Sequence, residues 1–133
     1  MIINLLRFRF RDEVSEAERA DALAAISRTA SLDAVAFSVI GRDLGDPAAG
    51  FTHAYLVAIP GLEALERYFD APVHRAGDFQ FIPLVAKLSR SGFTSDDDPD
   101  LGEKIMALWR RKMSADPGWL ALFDLVPELS LTG

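Results

Sequence analysis

"LERYFDAPVH", Leu65–His74, sets a tyrosine, a proline and a histidine within seven residues of a 133-residue chain that has only two histidines and two tyrosines. Leu62, Leu65 and Phe69 recur at helical spacing up to it, and Pro72, with no amide proton and a ring that clashes with the preceding turn, interrupts the pattern. The spacing predicts a helix over Pro60–Phe69 and a short helical turn restarting at Val73. The break frees Tyr68 and His74 from the fixed relative angle of a continuous helix, so both side chains can converge on one cleft.

Working outward, "FTHAYLVAI" (Phe51–Ile59) reads as a strand, and "AVAFSVIGR" (Ala34–Arg42) as another. Between them "GDPAAG" (Gly45–Gly50) is turn chemistry, which predicts a hairpin. At the N-terminus Leu6, Phe8 and Phe10 share one parity and Arg7, Arg9 and Arg11 the other, the period of a half-buried strand over Ile2–Arg11; Asn4 falls on the apolar parity. "SEAE" (Ser15–Glu18) is a capping box that opens an alanine-rich helix from Glu16 to Thr29, with Ala20, Leu23, Ala24 and Ile26 as its expected buried side. "PLVAKLSRSGF" (Pro83–Phe93) supplies a fourth strand.

The order β, α, β, β, α, β predicts an α+β, ferredoxin-like domain over residues 1–93: a four-stranded antiparallel sheet with two helices on one face. The other face still carries apolar residues (Ala54, Leu56, Ala58), so a homodimer through that open sheet face is expected. An acidic linker, "TSDDDPD" (residues 94–100), leads to a helical C-terminal extension over residues 101–133. There Leu101, Ile105, Leu108 and Trp109 form an apolar stripe, and Asp116 and Pro117 open a second segment with Trp119, Leu120, Leu122 and Phe123 behind them. So apolar an extension is expected to dock on its own domain or on the partner subunit.

Composition narrows the chemistry. The formal net charge is −6 and no Lys/Arg cluster offsets it, which disfavours nucleic acid. Without cysteine there is no disulfide scaffold, thiol nucleophile or cysteine-held metal. A metal site from His53 and His74 would need a third ligand such as Asp70 or Asp78, and the short His-x-x-x-His spacing is missing, so no metal is expected. The N-terminal apolar run is too short for a secretory signal, and no stretch has the length of a membrane span, so the expected location is the cytoplasm.

"GFTHAYLVAI" followed by "LERYFDAPVH", after an opening "INLLRFRFRDEVSEAE", resembles the stress-responsive A/B barrel (Dabb) domain over residues 1–93. The resemblance implies a homodimeric α+β barrel with a cleft in each subunit between sheet and helices. Plant polyketide cyclases of this family use the tyrosine and histidine of the Y-x-x-x-P-x-H segment for a cofactor-free ring closure, so the resemblance implies Tyr68 as oxyanion donor and His74 as general base. Where many members carry a histidine, this sequence has Asn4 on the first strand and Ala71 before the proline.

The residues are compatible with those roles, since an imidazole titrates near working pH and a phenol donates well to an enolate-like oxygen. The parity that groups Asn4, Leu6 and Phe8 also groups His53, Tyr55 and Val57 on the third strand. With both sets facing the helices, they would line one mostly apolar cleft with Leu23, Ile26, Tyr68 and His74. A structural reading stands beside the chemical one: Tyr68 buries its ring and His74 holds the turn after Pro72. Three functions follow: binding of a small, mostly apolar molecule; a cofactor-free polyketide-type cyclase or lyase; and a stress-associated dimer without a ligand.

Overall fold

Strand β1 (Ile2–Phe10) lies at the centre of the sheet in the computed structural model, which describes residues 1–132. The other elements follow as α1 (Glu16–Ala30), β2 (Phe37–Arg42), β3 (His53–Ile59), α2 (Leu62–Asp70), α3 (Pro72–Phe81), β4 (Val85–Thr94), α4 (Leu101–Ala115), α5 (Pro117–Ala121) and β5 (Glu128–Leu131), with short 3₁₀ turns between some of them. The expected ferredoxin-like order is present, and β1 pairs antiparallel with both β3 and β4.

The sheet has five strands rather than four, in the order β2-β3-β1-β4-β5. The fifth comes from the extension: Glu128–Leu131 joins the edge of β4 in parallel, with Arg90 opposite Leu131, so the extension is not purely helical. A free strand edge presents a row of unpaired amides and carbonyls, and this short segment covers part of it. Thr132 continues the pairing, its amide donating to the Arg90 carbonyl at 2.8 Å.

Helix α1 starts as expected, with the Ser15 hydroxyl accepting from the Glu18 amide and the Glu18 carboxylate accepting from the Ser15 amide. Its buried side is Ala22, Ala25, Ile26, Thr29 and Ala30, whereas Ala20 and Ala24 are exposed and Leu23 is half-buried. The helix is rotated from the expected setting because it packs against α3 at Gly77. A Cβ there would stand 2.8 Å from Thr29 Oγ1 and 3.4 Å from the Ala25 carbonyl oxygen, so the small side of α1 must face α3. Pro72 is the first residue of α3, a full helix rather than a single turn, and Ala71 in extended conformation separates it from α2.

The acidic segment folds on itself: amides of Asp96, Asp98 and Asp100 donate in turn to the side chains of Thr94, Asp96 and Asp98, and Lys104 pairs with Asp98 at 2.6 Å. Beyond it the extension docks on its own domain. Lys112 Nζ donates to the Phe69 carbonyl at 2.7 Å, Arg75 pairs with Asp116 at 2.7 Å, and Arg11 donates to the Leu125 carbonyl. No helix among the described residues is long and apolar enough to cross a membrane.

Candidate functional site

The register of the sheet sets the floor of the site. Tyr55 lies opposite Leu6, Leu6 opposite Arg90, and Arg90 opposite Leu131, so these four form one row across the helix-facing side; Asn4, opposite Val57, begins the next. Helices α2 and α3 roof this floor, and Pro72 gives the chain its corner between them. Tyr68 on α2 and His74 on α3 therefore meet with ring centroids 4.3 Å apart, Tyr68 fully buried and His74 nearly so.

The Tyr68 and Tyr55 hydroxyls are 3.0 Å apart. One donates to the other, which leaves the pair a single hydroxyl proton free to give elsewhere. Burial pushes both phenols well above their ordinary pKa, and both stay protonated.

His74 Nδ1 lies 2.9 Å from the Tyr68 main-chain oxygen. A carbonyl only accepts, so Nδ1 carries the proton and, in the neutral ring, Nε2 is bare. Nε2 sits 3.4 Å from Asp78 Oδ2, which accepts from the Trp119 indole N–H at 2.8 Å. Burial pulls the His74 pKa down, and the Asp78 carboxylate opposes that shift. The result is a neutral imidazole with an available lone pair beside a phenol that can donate.

These groups wall a cavity of about 50 Å³, space for a few non-hydrogen atoms. Of the residues the sequence marks out, Asn4, Leu6, Ile26, Tyr55, Tyr68 and His74 line it. Phe8, Leu23, His53 and Val57 do not. Phe8 is fully buried farther along β1, packed edge-on to Phe81 and stacked on His53, which also exchanges a hydrogen bond with Thr52 Oγ1 at 2.8 Å. Val57 is core, and Leu23 lies on the flank of α1 because the small side of that helix turns inward.

The sequence singled out Asp78 only as a conceivable third metal ligand and did not place it in the cavity wall, nor Arg90, nor the walls given by the extension, Trp109, Trp119, Phe123 and Leu131. Two signals were there to be read. Asp78 follows His74 by one helical turn, and Arg90 is a charge on the same parity as Leu88 in a half-buried strand. Among the described residues no three His, Asp or Glu side chains come together in a way that could hold a metal ion.

No family model matches the chain, and no curated protein is significantly similar to it. Solved structures do match. A dimeric ferredoxin-like protein of unknown function from Thermobifida fusca is 26% identical at TM-score 0.61, the match covering 70% of this chain and 89% of that one. A Dabb family protein with a ferredoxin-like fold from Mesorhizobium loti is 18% identical at TM-score 0.63, covering 71% and 96%. Hydroxynitrile lyase from Passiflora edulis is 20% identical at TM-score 0.64, covering 73% and 94%. The class these define is the α+β ferredoxin-like domain, and within it this chain is Dabb-like in fold.

Proposed function

We propose that this protein is a homodimer that binds a small, mostly apolar molecule between sheet and helices. The observation that carries the reading is the Tyr55–Tyr68–His74 cluster, buried yet turned toward a cavity whose other walls are largely apolar: a few convergent polar groups in an apolar pocket are the usual make-up of a small-molecule site. The Thermobifida fusca protein is dimeric, and the outer face of the sheet here leaves Phe37, Val39 and Phe93 between 55% and 64% exposed, which supports self-association through that face. Trp109 and Trp119 line the cavity, so titration with small apolar probes should quench or shift tryptophan emission in wild type, with Leu6→Trp, which fills the space, abolishing the response. An unchanged spectrum across the probe set would leave a ligand-free structural dimer as the reading.

The bare Nε2 of His74 favours a second reading, a cofactor-free cyclase or lyase. Nε2 takes a proton from the carbon next to a carbonyl, and the electron pair moves onto the carbonyl oxygen, which the free tyrosyl proton holds. In a ring closure the enolate carbon then attacks a second carbonyl, whose oxygen takes the proton back from His74. The Passiflora edulis relative in fold is a lyase. Turnover of poly-β-keto substrates and of a cyanohydrin by wild type, His74→Ala and Tyr68→Phe tests this; equal rates in wild type and His74→Ala remove His74 as the base.

A further inference from the structure

Four buried side-chain polar atoms among the described residues have no hydrogen-bond partner, and three of them, Asn4 Oδ1, Arg90 Nε and Trp109 Nε1, belong to residues that wall the same cavity. Two of the three are donors, and one of those carries a full positive charge. Arg90 is 9% exposed, stands in the middle of the helix-facing row of the sheet, and has no acidic side chain within ion-pairing distance among the described residues. Its guanidinium lies 4.5 Å over the Trp109 ring. Asp78, the acid of the same cavity, is engaged by the Trp119 indole N–H instead.

A buried charge without a counter-ion is destabilising, and an apolar side chain between Leu6 and Leu131 would serve packing better. Burial accordingly pushes the Arg90 pKa down to about 10. A planar guanidinium is complemented by a planar pair of oxygens sharing one negative charge, which is the geometry of a carboxylate.

A second space says what is attached to that headgroup. Between α4 and the ends of β1 and β4 runs a groove of about 570 Å³ that shares Asn4, Phe69 and Arg90 with the inner cavity. Leu65, Leu101, Ile105 and Met106 make most of its remaining surface apolar, and opposite Asn4 the β4 residue is Gly92, which adds no side chain. The inner cavity alone has room for only a few atoms, whereas the groove has room for a chain or a ring.

We propose that the ligand of this site is a small apolar monocarboxylic acid, its carboxylate on the Arg90 guanidinium beside the Trp109 indole N–H and its apolar part in the groove along α4. The proposal rests on the small-molecule reading above and adds the sign of the headgroup and the place of the tail. Asn4, whose amide offers a donor or an acceptor according to how it is turned, completes the headgroup site.

The test pairs each acid with its neutral amide: octanoate with octanamide and 4-phenylbutanoate with 4-phenylbutanamide, titrated calorimetrically at pH 7.5 into wild type and Arg90→Gln. At least one acid should bind wild type ten times or more tightly than its amide, and Arg90→Gln should remove that preference. Acid and amide binding wild type alike would overturn the anionic headgroup and leave the apolar site standing. No binding by any of the four would overturn both readings. The wild-type comparison stands whether or not the Arg90 variant folds, and a Met106→Glu variant, placing a negative charge on the groove wall, should weaken the acids more than the amides if the tail lies there.

Discussion

The two faces of the sheet are built from alternate residues of the same strands, and each contradicts what a lone soluble domain would favour. The helix-facing side holds Tyr55, Arg90 and the side-chain oxygen of half-buried Asn4 out of water, and atoms of Asn4 and Arg90 are left without partners. The outer side leaves Phe37, Val39 and Phe93 in water. Burying polar atoms and exposing apolar ones both raise the free energy of an isolated chain, so each face points to something that joins it. What differs is scale: the inner departure is a few atoms inside a small cavity, which suits a small molecule, and the outer one is a broad apolar surface, which suits a second copy.

The inner face depends most on Trp119. It is almost fully buried, holds Asp78, and stacks within the wall that the extension adds. Trp119→Ala should lower stability by about 3–5 kcal/mol, read from the urea midpoint, and should open the cavity. A loss under about 1 kcal/mol would mean that the extension is not a working wall of the domain.

For the outer face, Val39→Asp should weaken self-association roughly hundredfold, about 2.7 kcal/mol, as followed by sedimentation at micromolar concentration. A wild type that sediments as a monomer would sink the dimer. Within the inner cluster, Tyr68→Phe strips Tyr55 of its hydroxyl partner and should lower stability by about 1–3 kcal/mol in thermal unfolding at fixed pH. If Tyr68→Phe is neutral, the pair is not closed off from water.

The smallest effect is the dependence on pH. Burial lowers the His74 pKa below its usual 6.5 and lowers His53 in the same direction. The unfolded chain therefore takes up protons first as the pH falls. The contribution of each histidine to stability is whole above pH 6.5 and is lost as the pH drops through the folded-state pKa. Melting temperature should fall between pH 7 and pH 5, and His74→Asn should flatten that fall. An equally steep fall in His74→Asn would assign it to other groups.

Much of the helix-facing side was legible in the sequence because its cause is local. Alternation put Asn4, Leu6 and Phe8 on one face of β1, and the ladder then set Tyr55 beside Leu6. Pro72 between Tyr68 and His74 announced a corner, and the capping box before α1 announced a start. The rest depends on partners far away in the chain. Six alanines spread around α1 offer no single apolar side, and Gly77 on α3 chooses among them. "ELSL" becomes a strand only because β4 offers it an edge, a pairing across some 40 residues that its own four residues do not encode.

The strand periods, the helix starts and the corner that brings Tyr68 to His74 are written locally in the chain, since they follow from side-chain period, capping and the geometry of proline. That Phe8, Leu23, His53 and Val57 stand outside the cavity wall, and Asp78, Arg90 and the two tryptophans in it, comes from the folded packing. Which side chain ends beside which depends on how helices rotate and where the extension docks. Those outcomes are settled by packing between segments distant in sequence, to which no local pattern has access.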